Sequence, residues 1–304
     1  MAGKESIFEV FSGFAQLMAR GGWKEAELQI DVALREFNTI WPRVYQEFAN
    51  KPQEGAIAVK ELISAQPQIM GLTLAMARCD GAELFSRFKR YIESILKRTD
   101  SLGGYPSVAG VPRVQAGLLY ITSVVASLNW ESWNLFARLL TTKFEWYYQS
   151  GRPLYNYPFD LPYLFHSETF GRDAAKIHDF FREELTQPEV CSITGLDAET
   201  TLDTYVQAQM LLCLKAAQLR ERGEDVSIWP DFGRFYGERV SKLLERAYHD
   251  REFAAGFLRA FEEDADVFFD RLNDRLAFVQ STFWRGAPYF YESLASWEPR
   301  EARA

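Results

Sequence analysis

Apolar side chains recur at intervals of three and four residues along most of this chain of 304 residues. In residues 80–99 such a stripe is formed by Leu84, Phe88, Ile92 and Ile95. This spacing places the apolar residues on one face of an α-helix. No segment shows several consecutive alternating positions enriched in β-branched residues, the pattern that is typical of a strand. The sequence therefore predicts an all-α fold.

The same periodicity gives the ranges of the predicted helices, which are 5–20, 23–40, 54–66, 68–78, 80–99, 112–128, 130–149, 172–186, 197–222, 231–249 and 251–280. Helix 112–128 is apolar on nearly every side, so we expect the other helices to surround it. Asp80 followed by Glu83 is a capping-box pattern at the start of helix 80–99. The predicted architecture is a stack of antiparallel helical hairpins, either solenoid-like or an irregular multi-helix array.

Two segments interrupt the helical pattern. Residues 100–112 are rich in Gly, Ser and Pro and predict a loop, so we expect an N-terminal helical subdomain at 1–104 and a C-terminal helical domain at 105–304. Residues 151–171 form a second loop with three prolines and many aromatic residues. Loops of this length without regular structure are usually packed, functional or both.

The aromatic loop has two interpretations. It is either a proline-stiffened loop held in place by its rings, or an aromatic-walled pocket at 146–168 that binds a small ligand or a peptide. In the second case two histidines and a carboxylate could meet as a metal-binding or acid–base cluster. The candidate ligand-binding or partner-binding residues are Arg152, Tyr155, Tyr157, Asp160, Tyr163, His166, Glu168 and His178.

Charged residues form two further patterns. An acidic face repeats every four residues along predicted helix 251–280, at Glu262, Asp266, Asp270 and Asp274. It is a solvated helix face, a divalent-cation site or a surface for a basic partner. A basic face on helix 80–99 is formed by Arg87, Arg90, Lys97 and Arg98. The two faces are complementary in charge, and we expect them to meet within one chain or between copies, which predicts possible self-association.

Charge and composition exclude several functions. The net charge is −8, with +1 on residues 1–150 (16 basic and 15 acidic residues) and −9 on residues 151–304 (18 basic and 27 acidic residues). This balance argues against general nucleic-acid binding. The longest uncharged stretch, residues 114–130, spans about 26 Å as a helix, less than the roughly 30 Å of a bilayer core. The three cysteines form no CxxC pair and predict a cytoplasmic protein.

No phosphate-binding loop, nucleophile elbow or HExxH motif occurs in the sequence. We therefore predict no cofactor, no metal and no catalytic residue.

The run VPRVQAGLLYITSVVASLNWESWNLFARLL at 111–140 resembles helical sensor or partner-binding regions of bacterial multidomain defence and signalling proteins. In that pattern a Pro-Arg start leads into a small and apolar helix, a turn with Trp, and an amphipathic helix that ends in Leu-Leu. The resemblance implies a region that senses a signal or binds a partner and thereby regulates an effector. This chain contains no recognisable effector domain, so the effector would be another polypeptide.

Together these observations predict a non-catalytic helical scaffold for protein–protein interaction and regulation, as an accessory or sensor component of a bacterial, for example antiviral, defence complex. The alternative is an enzyme or small-ligand sensor that uses the aromatic pocket at 146–168. An enclosed cavity walled by Tyr155, Tyr157 and His166 would favour the alternative, and an open groove would favour the scaffold.

Overall fold

The structure is a computed structural model, and it describes residues 6–98, 106–147, 153–157, 167–171, 174–224, 226 and 237–282. The fold is all-α, as the periodicity predicts. The first eight helices are α1 (Ile7–Ala19), α2 (Trp23–Phe48), α3 (Gly55–Ser64), α4 (Pro67–Arg78), α5 (Phe85–Lys97), α6 (Pro106–Ala109), α7 (Val111–Asn129) and α8 (Trp133–Thr141). The later helices are α9 (Ala174–Leu185), α10 (Pro188–Thr194), α11 (Ala198–Glu221), α12 (Gly237–His249), α13 (Arg251–Phe257), α14 (Ala265–Asp270) and α15 (Leu272–Thr282).

One antiparallel hairpin interrupts the helices. Its strands are β1 (Phe144–Tyr147) and β2 (Pro153–Asn156), with Phe144 opposite Asn156. The predicted helix 130–149 is therefore wrong beyond Thr141, because the backbone becomes extended at Thr142. The Phe144 ring is buried edge-on against Phe85 and Tyr120. A strand, and not the predicted helix, therefore places this ring in the core.

The helices pack around one core. One series of contacts joins α1 to α4, α4 to α7, α7 to α11, and α11 to α15. Helix α2 packs on α5, and α5 packs on β1 and on α7. Buried apolar residues from all of these helices form a single cluster that runs across the predicted boundary at 104–105. The division into two subdomains stays a prediction.

Helix α7 lies in the centre, as its apolar composition predicts. Every residue from Val111 to Leu128 is buried, and α3, α4, α5 and α11 pack around it. The segment Ser107–Asn129 is the one part of the described residues that is long and apolar enough to cross a membrane. Since every residue of this segment except Ala109 and Asn129 is buried in the fold, packing accounts for its apolar character.

Four of these helices, α1, α4, α7 and α11, end in the same type of turn. In each turn a backbone N–H bonds back to the carbonyl five residues earlier, across a residue with positive φ. This is the Schellman arrangement, in which glycine is preferred at the left-handed position. Gly21 and Gly223 follow that preference, whereas Asp80 and Glu131 do not.

The two exceptions use their side chains to join other helices. The carboxylate of Asp80 accepts hydrogen bonds from the backbone N–H of Leu135 at 2.7 Å and the side-chain amide of Asn134 at 2.6 Å. Glu131 pairs with Arg246 at 2.6 Å. Asp80 therefore caps α8, so the predicted capping box at the start of helix 80–99 is wrong. That helix starts as a short 3₁₀ turn, Ala82–Leu84, without a side-chain cap.

The predicted helix 251–280 is also wrong as a continuous element. It divides into α13, a 3₁₀ turn at Leu258–Ala260, α14 and α15. The break follows from Glu262, whose φ is +55°, a value that a continuing helix does not allow. Phe257, Phe261 and Phe268 pack against one another across the break, with ring centroids 4.8–5.6 Å apart.

Two smaller differences concern α2 and α10. The predicted helix 23–40 continues through Pro42 to Phe48, although proline removes one helical hydrogen bond. Burial of Trp41, Val44 and Phe48 offsets that cost. Helix α10 was not predicted. It starts at Pro188, a residue that suits the first turn of a helix, and ends at Gly195, whose φ is +72°.

Candidate functional site: a cleft at the C-terminal turn

The break in the predicted helix 251–280 forms one wall of a surface cleft. The cleft lies between the end of α12, α13 and α14, and its volume is about 1050 Å³. Its apolar surface includes Tyr248, Ala255, Val267 and Phe269. Tyr248 and Phe269 meet edge to face, with centroids 5.2 Å apart. Tyr248 is 47% exposed and Val267 is 40% exposed, so two large side chains present apolar surface to solvent here.

Carboxylates surround this apolar surface. Glu262, Glu263, Asp264 and Asp266 line the cleft together with Arg251 and Arg259. Glu262 pairs with Arg222 at 2.9 Å, and Arg259 donates to Asn134 at 2.8 Å. Within the described residues Asp264 and Asp266 are exposed and neither has a salt bridge. The cleft therefore combines exposed apolar side chains with two carboxylates, of Asp264 and Asp266, and two guanidinium groups, of Arg251 and Arg259.

A buried ion pair stabilises the turn that carries Glu262, Glu263 and Asp264. Arg275 of α15 is fully buried and binds both oxygens of Glu263 at 2.8 Å. It also binds the carboxylate of Glu221 at 3.0 and 2.8 Å. Burial alone would raise the pKa of Glu263, but the hydrogen bonds from Arg275 outweigh it and hold the pKa below its ordinary value. Glu263 is therefore ionised, and its ion pair connects the turn to α15.

Helix α11 holds the same turn through a short chain of polar groups. The amide of Gln218 and the guanidinium of Arg222 both donate to the carbonyl of Phe261, the second at 3.1 Å. Lys215 donates to Gln218 Oε1 at 2.8 Å and is 1% exposed. Burial lowers the pKa of Lys215 to about 8. These contacts fix the backbone of the turn in the unbound chain.

The four residues of the predicted acidic face do not lie on one continuous helix. Because the helix breaks, Glu262 lies in the turn, Asp266 and Asp270 lie on α14, and Asp274 lies on α15. All four are exposed. Glu262 and Asp266 line the cleft. The described residues hold no group of three or more His, Cys, Asp or Glu side chains arranged to bind a metal ion.

The basic residues of helix α5 contact residues that do not belong to the predicted acidic face. Arg87 lies 3.6 Å from Glu27 and 3.4 Å from Asp31 on α2. Lys97 lies 3.2 Å from Glu145, and Arg98 donates to Asn38. Arg90 is exposed. These pairings account for three of the four basic residues within one chain, and self-association through this face stays a prediction.

Four residues of the predicted aromatic pocket lie outside the described residues: Arg152, Asp160, Tyr163 and His166. Glu168 belongs to a 3₁₀ turn, Ser167–Phe170, and Tyr155 pairs with Glu145 in the hairpin.

The two pocket residues whose side chains are described have separate hydrogen-bond partners. Tyr157 donates to Glu224 at 3.2 Å and lies under the ammonium of Lys143. Burial, followed by the charge of Glu224, raises the pKa of Tyr157 to about 12. His178 Nδ1 lies 2.7 Å from the hydroxyl of Tyr205.

His178 is a buried, neutral residue. Burial lowers its pKa to about 3, and the nearby charge of Arg182 lowers it further. Its ring packs against Phe181 and Tyr205. A general acid–base residue acts best when its pKa lies near the working pH. His178 therefore fits a structural role better than proton transfer near neutral pH.

A second cleft of about 520 Å³ lies between α1, α2 and α4. Its walls include Val10, Val32, Ile40 and Leu72, and the carboxylate of Glu36 at its edge accepts a hydrogen bond from Gln68. This cleft is smaller and does not combine apolar surface with a row of carboxylates.

Comparisons of the chain with protein-family models, with curated proteins and with solved structures find no match in any of the three. The resemblance of residues 111–140 to helical regions of defence proteins therefore stays a prediction.

Proposed function

We propose that this chain is a non-catalytic helical scaffold that binds a protein partner through the C-terminal cleft. One observation carries the proposal: the cleft presents Tyr248 of α12 and Val267 of α14 to solvent, and the turn that also lines this cleft is held in place by Arg275 and Gln218. Exposed apolar side chains at a prepared surface are characteristic of interaction sites. A turn that is already ordered avoids part of the entropy cost of association.

The buried polar groups described here support a structural role for the interior. Lys215, His178 and Arg275 each contact protein side chains instead of an open cavity. Catalytic groups normally converge on one concave site. These three groups are distributed over α9, α11 and α15, which favours the scaffold over the enzyme.

We extend the proposal to the biological role that the resemblance implies, an accessory or sensor component of a bacterial defence complex. Residues 111–128 are buried in the core, so the resemblance concerns the scaffold and not the contact surface. We place the protein in the cytoplasm, because Cys79, Cys191 and Cys213 are all unpaired and disulfides are rare there.

Capture from an extract of the native host tests the proposal. The bait is the full chain, as wild type, as Val267→Glu in the cleft and as Ile57→Glu on α3. Ile57 is a matched control because its side chain is 53% exposed and belongs to another surface. We expect wild type and Ile57→Glu to retain the same stoichiometric protein and Val267→Glu to lose it.

Three results would contradict the proposal. The first is retention of the protein by Val267→Glu, the second is equal loss with both variants, and the third is a wild-type bait that retains no protein. A small molecule that co-purifies instead of a protein would favour the alternative function at the aromatic loop.

A further inference from the structure

We draw no further inference here: the strongest candidate, the cleft of about 520 Å³ between α1, α2 and α4, has the opposite charges of Arg35 and Glu36 side by side in its lining, and nothing in the part of the chain that the structure describes shows what covers its apolar wall.

Discussion

The guanidinium of Arg275 and the carboxylate of Glu263 form a two-point ion pair in the interior, with both N–O distances at 2.8 Å. This pair joins α15 to the turn that forms the acidic wall of the cleft. In a buried ion pair each member neutralises the charge of the other. Removal of one member therefore leaves a buried charge without compensation and lowers the stability of the fold.

Arg275→Met tests that relationship. We expect it to lower the free energy of unfolding by about 3–5 kcal/mol, because Glu263 and Glu221 would each lose two hydrogen bonds from the buried guanidinium. The measurement is urea denaturation followed by circular dichroism. Arg271→Met is the matched control. Arg271 is exposed and lies 3.6 Å from Glu221, and its loss should cost less than about 1 kcal/mol. Equal losses for the two variants would contradict the assignment.

Gly256 allows the close approach of α13 to α8. A Cβ atom at this position would overlap the indole of Trp133 at Cδ1, so the indole would have to move. We expect Gly256→Ala to lower the free energy of unfolding by about 1–3 kcal/mol.

Gly13→Ala on the exposed side of α1 is the matched control for Gly256→Ala, because a Cβ there meets nothing within 4 Å. It should raise the free energy of unfolding by about 0.5–1 kcal/mol, since alanine favours a helix interior. The two substitutions should therefore change stability in opposite directions, and a stabilised Gly256→Ala would contradict the packing of Trp133.

Lys215 makes stability depend on pH in the alkaline range. Burial lowers its pKa from 10.5 to about 8. Between these two values the unfolded chain holds a proton that the folded chain has released, so the free energy of unfolding rises with pH. Lys215→Met lacks this component. We expect the stability of wild type relative to Lys215→Met to increase from pH 8 to pH 10, as measured by urea denaturation at each pH. A constant or decreasing difference would contradict the burial of a charged lysine.

His178 should remain neutral at ordinary pH. Its pKa is lowered from 6.5 to about 3, so its ring proton signals should show no titration between pH 5 and pH 8 in NMR spectra. Between pH 3 and pH 6.5 the unfolded chain binds a proton that the folded chain does not, so acidification through this range lowers the free energy of unfolding. A His178 signal that titrates near pH 6.5 would reopen an acid–base role at the aromatic loop.

The fold class follows from the sequence because helical periodicity is a local property. Leu84 in the 3₁₀ turn before α5 is buried, and so are Phe88, Ile92 and Ile95 of α5. The sequence does not predict the hairpin at Phe144, because its aromatic residues continue the helical spacing of α8. The contacts of the Phe144 ring with Phe85 and Tyr120, which are distant in sequence, favour the strand. Asp80 was placed on the wrong helix because its partner, Leu135, is 55 residues away in sequence.

The candidate site could be predicted only in part. The acidic residues were visible as a pattern of four, but the apolar half of the cleft was not, since Tyr248 and Val267 lie 19 positions apart in the sequence. They share one cleft only because the chain turns at Glu262, whose positive φ is unusual for a residue other than glycine. The side chains that hold this turn, Arg275 and Gln218, come from two other helices.

Site-specific photo-cross-linking in the native host tests the cleft as a contact surface most directly. Benzoylphenylalanine is placed at Val267 in one version of the full chain and at Ile57 in another, two positions of similar exposure. The proposed function predicts one discrete adduct of defined mass at position 267 and none at position 57. Adducts of the same protein at both positions, or an adduct at position 57 alone, would contradict it.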